Sequence, residues 1–199
     1  RKMGKSGALF DLDKLNDISK NELSCLSAEE MYAFLKEWAD EYGSAEEKKY
    51  FENRDYLLKV LNLVMGTGGK KRRKDIMTAR QSMTLLSYFF RKGNREDAYR
   101  TDAKTKDAIL NAFLNTYDCN DDAQVWFSKL KEVASSLGFA AEMRDYKADP
   151  GAYKGSVSDV AEVLRIATTG RANTPDLWTV MQILGAEETK KRIREEIGT

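Results

Sequence analysis

Proline stands at only two of the 199 positions, 150 and 175, and nearly everywhere else apolar residues return every third or fourth position instead of every second. A strand that buries one face needs the two-residue alternation, whereas a 3.6-residue period lays the same side chains along one stripe of a helix. With so little proline to remove amide donors, only glycine and polar turns interrupt those helices. The spacing predicts an all-α chain. Ser27-Ala28-Glu29-Glu30 is a capping box, in which serine oxygen and glutamate carboxylate satisfy first-turn amides. It opens a helix whose buried stripe is expected to be Met31, Phe34, Leu35, Trp38 and Tyr42, closed by Gly43. Ser44-Ala45-Glu46-Glu47 repeats the device.

Further stripes follow: Tyr56, Leu57, Val60, Leu61 and Val64, stopping at Gly66, then Ile76, Ala79, Met83, Leu86, Phe89 and Phe90, stopping at Gly93. Ile109, Ala112, Phe113 and Tyr117 mark the next helix. Another, capped near Asn120 to Asp122, carries Val125, Trp126, Leu130, Val133 and Leu137 and closes at Gly138. Val157, Val160, Ala161, Leu164 and Ala167 end at Gly170. Thr174-Pro175 is expected to open the helix of Leu177, Val180, Met181 and Leu184, with threonine as cap and proline in the first turn. A charged helix finishes the chain. Phe34, Trp38, Phe89, Phe113 and Trp126 all read as packing residues. The polar stretch Arg91 to Thr101 is the natural domain boundary, giving a connecting segment 1–10, a first helical subdomain 11–100 and a second 101–199.

At this length, 42% apolar residues can build a core for one large domain or two small ones. No apolar run reaches the 18 residues that a membrane helix needs. The absence of histidine removes imidazole metal sites, Ser/His/Asp triads and histidine acid–base chemistry. No catalytic residue and no metal ligand is therefore assigned. Two cysteines, Cys25 and Cys119, are too few for a disulfide scaffold and read as reduced thiols of a cytoplasmic protein. The start at Arg1, inside a basic motif, reads as a piece cut from a longer protein.

Charge is distributed unevenly. Residues 61–110 hold twelve Lys/Arg and five Asp/Glu, and the residues on either side are net negative, so an overall +1 conceals a +7 segment. Its centre is Gly66-Thr67-Gly68-Gly69-Lys70-Lys71-Arg72-Arg73-Lys74-Asp75, five consecutive cations behind a glycine hinge at a helix C-terminus, whose negative dipole end they face. A phosphate-binding nucleotide loop needs Gly-Lys-Ser/Thr after a strand, and here Lys71 and Arg72 occupy those places with no strand before them. Two readings remain: a solvated surface loop, or a loop gripping the phosphates of a nucleic acid. Tyr153, beside Lys154 and Gly155 in a loop, is the aromatic best placed to stack on an unpaired base.

Val163-Leu164-Arg165-Ile166-Ala167-Thr168-Thr169-Gly170, Thr174-Pro175-Asp176-Leu177 and Ile183-Leu184-Gly185 together resemble the L-R-V-A-L-T-G, S-P-x-L and L-G signature that ends bacterial glutamyl-tRNA synthetases. Phe10-Asp11-Leu12-Asp13-Lys14-Leu15-Asn16 is similar to the F-D-x-x-K-L-N helix that opens the same family's anticodon-binding half. The stretch Gly68 to Asp75 resembles a G-G-K-K-x-R-K-D element in one branch of it. Lys2-Met3-Gly4-Lys5-Ser6 looks like a variant of the K-M-S-K-S loop of class I aminoacyl-tRNA synthetases, read here as a connecting segment.

The resemblance implies an all-helical cage of two subdomains holding the anticodon arm of the glutamate tRNA. It implies a monomeric cytoplasmic parent that joins glutamate to tRNA with ATP and Mg in a catalytic domain elsewhere, this fragment being inactive alone. Lys70, Lys71, Arg72, Arg73 and Lys74 would hold phosphates. Tyr153, Lys154, Arg165 and Arg171 are the candidates in the second subdomain, with a fold-holding ion pair as the alternative role of Arg165. Two rival functions stand beside this one: a helical protein-interaction module whose basic loop meets an acidic partner, and a catalytically competent remnant in which Lys2 to Ser6 still acts.

Overall fold

The computed structural model describes residues 11–66, 72–91 and 95–199. The expected stop at Gly93 and the connecting segment 1–10 lie outside them. Among the described residues there are eleven α-helices and no strand, only an isolated parallel bridge between Ala140 and Ser156. The chain divides into two compact units, Arg1–Leu86 and Ser87–Thr199.

The first unit contains α1 (Leu12–Cys25), α2 (Ala28–Tyr42), the short α3 (Ala45–Lys49), α4 (Arg54–Met65) and the start of α5 (Ala79–Phe90). Local chemistry sets these ends. Asp11 caps α1 by accepting from the Lys14 amide, and both serine capping boxes form as expected. Gly66 ends α4 with φ at 70°, a left-handed conformation that costs glycine nothing and any Cβ-bearing residue roughly 1–2 kcal/mol. α2 packs on α4, and the core contains Met31, Leu35, Ala39, Leu57, Val60, Leu61, Ile76, Met83 and Leu86. The α2 stripe departs from expectation: Phe34 and Tyr42 are exposed, Trp38 is half-buried, and Ala39 is the residue that reaches the core. A residue as small as Ala39 lets α4 approach on that side, which rotates the two larger rings to the rim.

The second unit holds the end of α5, α6 (Ala103–Thr116), α7 (Ala123–Ser136), α8 (Met143–Ala148), a 3-10 turn (Pro150–Ala152), α9 (Val157–Thr169), α10 (Leu177–Leu184) and α11 (Ala186–Glu195). α9 is its hub, packing against α6, α7, α10 and α11. Val157, Val160, Val163, Leu164, Ile166, Ala167, Thr168 and Thr169 are all buried, so this helix is covered on most sides. Its end at Gly170 is the expected one, with φ at 79°.

Two expectations shift in this unit. α10 begins at Leu177 with Asp176 as its cap, the carboxylate accepting from the Thr179 amide at 2.9 Å. The Thr174 cap fails because its side-chain and carbonyl oxygens are engaged by Arg165. The division between units falls inside α5, ahead of the polar stretch. That stretch is pinned to the second unit: the Glu96 and Asp97 amides donate to Gly170 O, and Arg95 and Tyr99 donate to the Glu196 carboxylate. Burial first, and the Glu196 charge second, raise the Tyr99 phenol well above its ordinary value.

Several carboxylates that accept from nearby amides or hydroxyls sit below their ordinary values. A backbone bond from Ser27 lowers Glu30, the Thr105 hydroxyl lowers Asp102, and the Asn120 amide lowers Asp118. On unfolding each regains its ordinary value, so the unfolded chain takes up protons first as the pH falls. Their stabilisation is thus complete above the ordinary carboxylate range and is lost as the pH drops through the depressed native values. The thermal midpoint should stay level from neutrality to about pH 5 and fall below about pH 4.5. A combined Glu30→Gln and Asp102→Asn variant should flatten that fall when melting is followed by circular dichroism against pH.

Candidate nucleic-acid interface

The basic run enters the described structure at Arg72, as Lys70 and Lys71 lie outside it. Arg72 Nη1 donates to Ser24 O at 2.8 Å and to Leu26 O at 3.3 Å. These are terminal carbonyls of α1, whose last turn has no basic residue of its own. Arg72 therefore supplies the cation that a helix C-terminus favours. For Arg72 the helix end it meets is thus that of α1 and not the expected end of α4, which is reached by a backbone bond, the Arg73 amide donating to Met65 O at 3.2 Å. The Arg73 side chain turns to Asp75, its Nε at 2.7 Å from Oδ1, and this hydrogen bond holds the Asp75 carboxyl below its usual range. Lys74 is exposed. Ile76, 2% exposed, and the Met77 carbonyl, which accepts from Ser19 Oγ, fasten the segment to the first unit. From Arg72 onward the run is an anchored segment on which charge is presented, and Arg72 is one of its anchors.

Arg80, at the start of α5, was not singled out in the sequence. Its guanidinium lies 4.5 Å from the centre of the Trp38 ring and donates to Glu47 Oε1 at 2.5 Å.

In the second unit, Arg165 projects from α9 onto the loop before α10. Nη1 donates to Thr174 O at 3.1 Å, Thr174 Oγ1 at 2.7 Å and Pro175 O at 2.8 Å. All three bonds use one nitrogen. The side chain is half-buried, and burial is the first cause lowering its pKa, opposed by Asp176. The alternative role of a fold-holding ion pair takes a modified form here, because the partners that hold the loop are neutral oxygens. Arg171 differs again: it is buried, its Nη2 donates to Glu96 Oε1 at 2.6 Å, and its guanidinium lies 5.6 Å from the Tyr88 ring centre. This geometry fits a structural tie between the chain after α9 and the segment at Glu96.

Tyr153 and Lys154 are both exposed, as a contact residue requires. Lys154 borders a cavity of about 130 Å³ shared with Arg100, Thr101, Asp159 and Glu162. With Arg100 paired to Glu162 at 3.3 Å, that cavity mixes both signs of charge and offers no net pull on an anion. Two buried cations were missed altogether, Lys106 and Arg192, 2% and 1% exposed. Lys106 Nζ donates to Glu196 O at 2.6 Å and Thr199 O at 2.9 Å, so its work is internal. Its position on the Ile109, Leu110 and Phe113 face of α6 was the available signal. Cys25 and Cys119 are free thiols. No helix among the described residues is long and apolar enough to cross a membrane, and no group of three or more Cys, Asp and Glu side chains there could hold a metal ion.

Comparisons with known proteins agree with one another. The chain is 45% identical over 196 residues to a glutamate–tRNA ligase of Acetivibrio thermocellus, covering 97% of this chain and 36% of the relative. It is 40% identical to a glutamate–tRNA ligase of Clostridium perfringens, covering 96% and 36%, and 34% identical to that of Sorangium cellulosum, covering 96% and 34%. The chain thus spans about a third of the length of the curated relatives it matches. A crystal structure of a glutamate tRNA ligase from Elizabethkingia meningosepticum, in complex with its amino acid, superimposes with a TM-score of 0.62 over 98% of this chain and 34% of that one. At 18% identity that likeness supports the helical fold. The family described as the anticodon binding domain matches residues 44–197, well over half the sequence, and the chain belongs to that family.

Proposed function

We propose that these residues are the anticodon-binding region of a glutamate–tRNA ligase and grip the anticodon arm of the glutamate tRNA. The observation that carries this reading is the match of residues 44–197 to the anticodon binding domain, together with the likeness of the chain to the glutamate–tRNA ligases named above. The parent, a monomeric cytoplasmic enzyme, attaches glutamate to tRNA using ATP and Mg. ATP and Mg belong to the rest of the parent, and this region contributes binding alone.

Within the region, Lys70, Lys71, Arg73 and Lys74 set register on phosphates, with Arg72 holding their segment in place. Arg165 is the candidate for reading a base. Its three bonds leave Nε and Nη2 for a ligand, and a guanidinium edge discriminates bases by about 1–3 kcal/mol. Tyr153 and Lys154 contribute from the loop before α9, while Arg171 acts by holding the fold.

The test is competition binding. The full-length protein should prefer glutamate tRNA to an unrelated tRNA, and the isolated anticodon stem-loop of the glutamate tRNA should compete. Equal affinity for both tRNAs would sink specific recognition. Affinity for an acidic protein partner with none for tRNA would favour the interaction-module alternative.

A further inference from the structure

Phe34, Trp38 and Tyr42 recur at four-residue intervals on α2, which sets each ring one turn beyond the last along a single edge of the helix. That edge borders the buried stripe Met31, Leu35 and Ala39 and remains in contact with water. Phe34 is 37% and Tyr42 61% exposed, and the Trp38 and Tyr42 rings stand 6.2 Å apart. A single exposed ring needs no explanation, but three in register form a patch, and patches mark binding surfaces.

A cation accompanies the patch. Arg80 lies over the Trp38 ring, and Glu47 fixes its guanidinium there. Arg80 also ends the basic segment that starts at Arg72, which is bonded to Ser24 and Leu26 just ahead of α2. The segment therefore begins beside the residues preceding α2 and finishes on its aromatic edge, with Arg73 and Lys74 between. On the other side of that edge α2 presents the exposed carboxylates of Glu37 and Glu41. Phosphates are repelled from that side; on the other, Lys74 and the charge that Asp75 and Glu47 leave to Arg73 and Arg80 attract them. Flat rings flanked by cations along one side match a strand that lays its bases on the rings and its phosphates toward the basic segment.

We propose that the Phe34, Trp38 and Tyr42 edge, with Arg80, is a stacking platform for unpaired bases of a single-stranded RNA segment. The proposal rests on the anticodon-arm reading and adds a surface to it: phosphate contacts hold the arm, and this edge receives loop bases that have left their stack. Stacking tolerates any base, so the platform contributes affinity and leaves discrimination to groups such as Arg165.

The experiment uses the full-length protein with the isolated anticodon stem-loop as probe. A Phe34→Ala, Tyr42→Ala double variant removes exposed rings only. It should bind about tenfold more weakly at unchanged melting temperature, with an unaltered salt slope because no counterion contact is lost. Tyr42→Phe should retain wild-type affinity. An anticodon loop carrying 5-iodouridine should crosslink on irradiation to Phe34, Trp38 or Tyr42, located by mass spectrometry. A double variant that binds as tightly as wild type, or crosslinks found only elsewhere, would overturn the platform while leaving tRNA binding intact. Failure of the wild-type protein to bind any tRNA would instead remove the anticodon-arm reading and the platform with it.

Discussion

Arg192→Ala is expected to cost about 3 kcal/mol of folding stability, a large fraction of what a domain has to spare. Arg192 is 1% exposed, yet it lies in α11, a helix of mostly charged residues. Its Nη1 donates to Tyr88 O at 2.6 Å and Thr168 O at 3.0 Å, joining the end of α5 to α9, and its Nε donates to Glu188 Oε1 at 2.6 Å. Glu188 keeps a 38% exposed side chain and can return to water when the arginine is removed. The two buried carbonyls cannot, and each acceptor stripped of its donor costs roughly 1–3 kcal/mol. Arg192→Met fills most of the same volume without donors, so it should recover the part of the loss due to the cavity and none of the part due to the carbonyls. Urea unfolding followed by far-UV circular dichroism separates the two. A loss below about 1 kcal/mol for the alanine variant would mean that other donors satisfy those carbonyls.

The same helix shows where sequence reading ends. The helices were legible because their signals are local: Ser27 with Glu30, Ser44 with Glu47, and the stops at Gly66 and Gly170 all act within one turn of the residues that reveal them. What α11 buries is decided by partners far along the chain. Thr189, Arg192 and Ile193 face inward because α9 and α6 cover them, and no periodicity within ten mostly charged residues announces that a guanidinium will meet two distant carbonyls. Thr174-Pro175 failed for a related reason. It has the composition of a helix start, but Arg165, nine residues earlier, takes the threonine oxygens, and Asp176 caps in its place.

The basic segment was visible as composition and its division of labour was not. Five adjacent cations look equivalent in a sequence, yet Arg72 closes the end of α1 and Arg73 shares its charge with Asp75. Arg171 looked like an exposed cation beyond a helix stop, and pairing with Glu96 makes it part of the framework. In α2 the error ran the other way: helical spacing assigned Phe34 and Tyr42 to the core, whereas the small side chain of Ala39 sets which edge faces α4. Charge and apolarity define what a side chain can do, and only the neighbours decide whether it does so inside or outside.

That division of labour leads to the second large effect, on tRNA binding. In the full-length protein, replacing Lys70, Lys71, Arg73 and Lys74 with alanine, Arg72 kept, should weaken tRNA binding by about a hundredfold at low salt and reduce the slope of log affinity against log salt by roughly 2 to 3. Each phosphate contact releases condensed counterions and contributes about 0.7–0.9 to that slope, so four cations could contribute somewhat more. Arg73 contributes less than a full contact because Asp75 already neutralises much of its charge. Arg72→Ala should behave differently. Its bonds are to the Ser24 and Leu26 carbonyls, so its loss should lower stability through the end of α1 while changing the slope little. Measuring affinity by fluorescence anisotropy across a salt series distinguishes the two kinds of variant. If the fourfold variant keeps the wild-type slope, these cations do not touch phosphate; if Arg72→Ala lowers the slope as much as any lysine change, the bonds to α1 yield to RNA on binding.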